Sequence, residues 1–153
     1  MGKSEYFIVF TLENQPFALE LDRVERIARV VGITPLPDAP SIVIGIINVQ
    51  GNILPVVDLR KRFNFPSKDI NPDQHLIISK TNNRTVALLV DAVQDILEGD
   101  QDTIVSNTDI LPNIDAIGGI AKIQESIILI HDLDKCLSIE DEKKLDKSLT
   151  KNK

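Results

Sequence analysis

Tryptophan is absent from the 153 residues, and there is one tyrosine, one cysteine and one methionine. Aromatic residues make up only 4%, so any core has to be aliphatic. A lone Cys136 excludes a disulfide framework and a cysteine-based zinc site. Two histidines, His75 and His131, leave little for a metal centre or a triad, and neither a metal nor a cofactor is expected. No apolar run approaches the roughly 18 residues of a membrane span. The first residues lack the apolar segment of a secretory signal, so a cytoplasmic protein without membrane insertion is expected. Positive charge is also short, with 17 Lys and Arg against 23 Asp and Glu and a net charge of −6. A nucleic-acid groove wants a basic face and aromatic platforms, so nucleic acid is not an expected partner.

What the chain does have is β-branched residues. Isoleucine occurs 22 times and valine 12 times. Branching at Cβ restricts side-chain rotation and suits a pleated strand. Strands are predicted at 6–12, 17–21, 25–31, 42–49, 52–57, 75–80, 85–90, 93–98, 117–124 and 126–131, separated by turn residues such as Gln50-Gly51-Asn52 and Thr81-Asn82-Asn83-Arg84. Short strands at close spacing indicate a sandwich or barrels, not a parallel α/β sheet. Asp58 before Leu59-Arg60-Lys61-Arg62-Phe63 reads as a cap on a short helix. Ser138 and Asp141 form a capping-box pattern for a C-terminal helix over 138–149, with Ile139, Leu145 and Leu149 on one face and 150–153 a frayed tail. Three prolines in Thr34-Pro35-Leu36-Pro37-Asp38-Ala39-Pro40 make that stretch a stiff loop.

The chain also repeats itself. At a shift of 69, Ile8 meets Ile77, Ala18 meets Ala87, Asp22 meets Asp91, Val24 meets Val93 and Ile27 meets Ile96. At a shift of 74, Gly45 meets Gly119, Gln50 meets Gln124, Ile53 meets Ile127 and Asp58 meets Asp132. A five-residue insertion reconciles the two shifts. This is the pattern of a duplicated small β unit. Each copy is too small to be strongly stable alone, so the two are expected to share a core and to leave a groove where they meet.

A search for chemistry finds little. No Gly-x-Ser-x-Gly is present. His131 beside Asp132 could serve a small-ligand-binding or catalytic β domain, but a strand-end histidine in solvent is the simpler expectation. Asp58 and Asp132, equivalent in the repeat, read as two helix caps and not as an acid–base pair. Asp91, Asp95, Asp100 and Asp102 lack the order of a calcium loop and read as a solvated surface. Cys136 reads as a buried or half-buried small residue. An interaction module remains.

The stretch Gly45-Ile46-Ile47-Asn48-Val49-Gln50-Gly51-Asn52-Ile53-Leu54-Pro55-Val56-Val57-Asp58-Leu59-Arg60 resembles the signature of the CheW family. Phe7-Ile8-Val9-Phe10, Val24-Glu25-Arg26-Ile27, Ala87-Leu88-Leu89-Val90-Asp91-Ala92-Val93 and Ile128-Leu129-Ile130-His131-Asp132-Leu133 agree in order, so the resemblance covers about 4–149. It implies a mostly β fold of two five-stranded SH3-like barrels packed together, the first over about 14–72 and the second over about 73–137, with the N-terminal strand packing on the second. It implies no catalysis. It implies an adaptor in chemotaxis signal transduction, coupling a CheA-type histidine kinase, through its regulatory domain, to the cytoplasmic tips of methyl-accepting chemoreceptors in arrays at the inner membrane face. By motif position, Leu21, Val24, Arg26, Gln50 and Ile53 match the receptor groove, and Ile33 and Gly45 match the kinase-facing barrel. Many relatives carry Arg where Gln50 stands and an acidic residue where Arg26 stands. These departures point either to receptors of different charge or to a regulator of another output, such as pili.

Overall fold

The computed structural model describes residues 4–30, 32–100, 105–106, 117–123 and 126–151. Among these residues eleven strands follow one another: β1 (Ser4–Leu12), β2 (Gln15–Glu20), β3 (Val24–Arg29), β4 (Val43–Val49), β5 (Asn52–Asp58), β6 (His75–Lys80), β7 (Thr85–Val90), β8 (Ala92–Asp100), β9 (Val105–Ser106), β10 (Ile117–Ile123) and β11 (Ser126–His131). Helix α1 (Leu59–Arg62) follows β5, and α2 (Ile139–Lys151) closes the described chain. The ten predicted strands are all present; β9, two residues long, is the addition.

The strands form two sheets. In one, the order is β11-β2-β1-β8-β10-β9, and β10 also pairs with β11, so five strands close into a barrel with β9 at its flank. In the other the order is β3-β6-β7-β5-β4. Here the chain beyond β3 returns along β4 through Thr34. Its N–H donates to the Ile46 carbonyl at 2.9 Å and its carbonyl accepts from the Ile46 N–H at 2.8 Å, which draws the two sheet edges together.

The repeat is written into the pairing. Under the shift of 69, the pair Ile27↔Ile77 maps onto Ile96↔Ile8, and both pairs exist. The parallel pair Val56↔Ala87 has its twin in Ile130↔Ala18. A bulge at Val24–Arg26 recurs at Val93–Asp95, and one at Val43–Gly45 recurs at Ile117–Gly119. Each sheet, however, holds strands from both copies: β6 and β7 sit with β3–β5, while β1 and β2 sit with β8, β10 and β11. Sheet membership therefore does not follow the division near residue 72 expected from the sequence. The links Leu21–Arg23 and Asp91 carry the chain across, so the copies exchange their first hairpins.

Strand alternation explains why the exchanged hairpins stay put. On β1, Phe7 and Val9 point into the lumen of their own barrel, while Ile8, Phe10 and Leu12 join a core shared with the other sheet. On β6 and β7, Leu76, Ile78, Ala87 and Leu89 fill the other lumen, and Ile77, Val86, Leu88 and Val90 face the shared core. These strands are apolar on both faces because both faces are covered. The seam between the barrels is thus the largest core, and α1, α2 and the 3₁₀ turn Leu133–Lys135 plug it with Leu59, Leu145 and Leu133.

Polar ties clasp the seam at equivalent places. Arg60 is 4% exposed, and its guanidinium donates to both Asp91 oxygens at 2.7 and 2.6 Å, pairs with Glu13 at 2.6 Å and donates to the Pro66 carbonyl at 2.8 Å. In the repeat, Glu13 corresponds to Asn82 and Arg60 to Asp134. Asp134 accepts from the Asn82 N–H at 2.8 Å and from Arg23 at 2.7 Å. Asp91 therefore belongs to an ion network and not to a solvated surface. Asp95 is exposed, as expected; Asp102 and the Asp100 side chain lie outside the described residues.

The Asp58 carboxylate accepts from the Arg60 N–H at 3.0 Å and caps α1, but Asp132 makes no capping bond with its side chain. The capping box is present: the Asp141 N–H donates to the Ser138 hydroxyl at 3.0 Å, and the Ser138 N–H to the Asp141 carboxylate at 3.1 Å. Leu145 and Leu149 dock, whereas Ile139, the first helical residue, is 77% exposed. The helix runs on through Thr150 and Lys151, further than the expected frayed tail; 152–153 lie outside the described residues.

Candidate functional site

The β4–β5 hairpin reverses at Gln50 (φ 52°) and Gly51 (φ 89°), and the Gly51 N–H is held by the Asn48 side chain at 2.8 Å. Two successive positive φ values match the twist of the flanking strands, and glycine adopts one at no cost. This turn projects Gln50 and Ile53 beside one end of the β3–β7 barrel. Opposite, the bulge at Val24–Arg26 turns two successive side chains, Glu25 and Arg26, toward the same end. Between them lies a groove of about 480 Å³ floored by Leu54, Pro55 and Ile78 and bounded by Arg84 and by Leu149 of α2. Ile53 is 51% exposed there. Arg84 is held from behind: its Nε donates to Glu142 at 3.1 Å and its Nη2 pairs with Asp146. Burial alone would lower the Arg84 pKa, but the two carboxylates outweigh it and leave the pKa raised.

Five residues were expected to share one groove, and the structure brings three of them together. Arg26, Gln50 and Ile53 line the barrel mouth. Leu21 and Val24 instead pack against the seam core. Val93, the repeat partner of Val24, packs there too. On the same strand face stand two exposed isoleucines, Ile27 at 40% and its repeat partner Ile96 at 50%. Sequence reasoning did not single out Val93, Ile27 or Ile96 as surface residues. The repeat had paired them; what it lacked was their exposure at the rim of the seam.

Ile33 and Gly45 lie against each other at the β4 edge. A Cβ on Gly45 would stand 2.4 Å from the Thr34 carbonyl oxygen and 2.7 Å from Cγ2 of Ile33. Glycine is what lets the chain after β3 seat on β4. Beyond Thr34 the prolines fix φ at Pro35, Pro37 and Pro40, and the segment turns at Pro37-Asp38, where Asp38 has φ 65°.

His131 and Cys136, both weighed for chemistry, are shut away. His131 is 3% exposed, with its ring edge-on to Phe63 at 5.0 Å between centroids, so the expectation of a solvent-facing histidine is corrected. Phe63, just beyond α1, covers it from the other copy. Cys136 is fully buried, and burial pushes its thiol up to about 12. Among the described residues, no three His, Cys, Asp or Glu side chains gather as metal ligands, and no helix is long and apolar enough to cross a membrane.

Comparison with known proteins agrees along nearly the whole chain. The family model for the CheW-like domain matches residues 6–141. Chemotaxis protein CheW of Rhizobium meliloti is 32% identical over 142 residues, covering 88% of each chain. Chemotaxis protein CheW of Thermotoga maritima is 32% identical over 133 residues, covering 84% of each. The crystal structure of the scaffolding protein TtCheW from Thermoanaerobacter tengcongensis superposes with a TM-score of 0.83 at 29% identity, covering 91% of this chain and 96% of that one.

Proposed function

This chain belongs to the CheW family of non-enzymatic chemotaxis scaffolds, and we propose that it couples a CheA-type histidine kinase to the cytoplasmic tips of methyl-accepting chemoreceptors. The observation that carries the reading is the doubled barrel with apolar side chains at the rim of its seam, Val24 and Ile27 from one copy and Val93 and Ile96 from the other. The exposed Ile27 and Ile96, each beside a valine packed on the seam core, suit the apolar stripe of an amphipathic helix. Receptor contact then spans Leu21 and Val24 at the seam and Arg26, Gln50 and Ile53 at the barrel mouth. Kinase contact falls at the β4 edge, where Ile33 packs over Gly45. The protein works at the inner face of the membrane, recruited there by its receptors.

Reconstitution tests this. The purified chain, a CheA-type kinase and receptor-bearing membranes from the same genome are combined, and kinase autophosphorylation is followed. Receptor control of the kinase should require the chain and weaken with Val24→Glu, since a charge at an apolar contact must be desolvated. Kinase activity that responds to receptors equally well without the chain refutes the reading.

A further inference from the structure

The C-terminal helix already shows how the mouth of the β3–β7 barrel is covered. Along α2, Leu145 and Leu149 stand one turn apart, as do Glu142 and Asp146. Leu145 is fully buried, Leu149 lines the groove, and the two carboxylates hold Arg84. The rest of the groove offers the same ingredients with nothing on them. Ile53 is half exposed, and Arg26 is exposed on the facing strand. Arg26 makes no hydrogen bond or ion pair among the described residues, although Glu25 lines the groove beside it. The other groove arginine is spent on α2.

We infer that the groove beside α2 receives a second amphipathic helix of like chemistry, with an aliphatic side chain resting on Ile53 and a carboxylate one turn away paired with Arg26. The charge complementarity is local: in a chain of net charge −6, Arg26 is the cation that this groove leaves for a partner. Arg26 thus selects partners by the sign of one residue. The inference rests on the adaptor reading above and assigns the helix to the receptor tip.

The test uses the full chain and purified receptor-tip fragments from the same genome, titrated by calorimetry at low and high salt. Folding is checked by circular dichroism, and the kinase regulatory domain serves as a parallel arm. An exposed charge pair predicts about threefold weaker tip binding for Arg26→Gln and about tenfold for Arg26→Glu, both losses shrinking at high salt. A tip in which one Glu or Asp is changed to Lys should recover binding to Arg26→Glu. Tip binding unchanged in both variants overturns the inference and leaves the adaptor reading standing. So does sensitivity to Arg26 in the kinase arm alone. If the wild-type chain binds no tip, the adaptor reading and the inference fall together.

Discussion

Replacing Gly45 with alanine places a methyl carbon 2.4 Å from the Thr34 carbonyl oxygen, where ordinary contact begins at 3.4 Å. The backbone after β3 must therefore retreat by about 1 Å, the difference between those two distances. That retreat stretches both Thr34–Ile46 hydrogen bonds, now 2.9 and 2.8 Å, beyond useful length. Each is worth about 1 kcal/mol net, and shifting Ile33 off the lumen core adds about 1 kcal/mol more, so the cost is about 3 kcal/mol. For a domain of this size that lowers the melting temperature by about 6–12 °C. Differential scanning calorimetry of Gly45→Ala and wild type reads the shift, and hydrogen exchange at the Thr34 and Ile46 amides reads its origin. A melting temperature within a degree of wild type, with both amides still protected, would show that the barrel does not depend on this close approach. Where kinase pairing is measured alongside, Gly45→Ala should weaken it through the displaced Ile33, because glycine itself offers no side chain to bind.

Removing the Arg60 head group strands Asp91 in a mostly buried position, and Arg60→Gln should cost about 3 kcal/mol by urea unfolding at neutral pH. The same network sets an acid limit. Burial works to raise the Asp91 pKa, but Arg60 outweighs it and holds the pKa below the usual carboxylate range. The stabilisation is therefore complete above the unfolded pKa near 4 and lost as pH falls through the lower folded value. In Arg60→Gln that acid-sensitive part should vanish from a plot of stability against pH; an unchanged plot contradicts the pairing. Asp58 runs the other way, since burial pushes its pKa up despite the Arg60 N–H, and its charged form is a mild liability at neutral pH. Asparagine caps as well without the charge, so Asp58→Asn should match or exceed wild-type stability, whereas Asp58→Ala should lose about 1 kcal/mol. Cys136 should resist Ellman's reagent at pH 8 in the folded protein and react at once in denaturant; rapid native labelling would contradict its burial.

The strands were legible because isoleucine and valine alternate between turn residues, and the duplication because its matched pairs keep their order. Which copy's hairpin joins which sheet was not legible. Both hairpins are apolar on both faces, so either partner sheet satisfies them, and only the short links after Glu20 and Val90 decide. The separation of Val24 from Arg26 has a similar cause. Residues two apart normally share a strand face, but the extra Glu25 in the bulge resets the phase and sends Arg26 to the barrel mouth. His131 read as solvent-facing because it ends a strand beside an aspartate; its cover, Phe63, comes from far along the chain. Asp132 matched Asp58 in the repeat, yet its helix is a 3₁₀ turn that its side chain does not cap.

The traded hairpins have a mechanical consequence. Two beads on a string can swing apart, but here each barrel is stitched through the other, and parting them means peeling a strand pair out of a finished sheet. The spacing between whatever grips one barrel and whatever grips the next is therefore set by the chain itself. A tug at either end arrives at the other as displacement and is not absorbed by a slack joint.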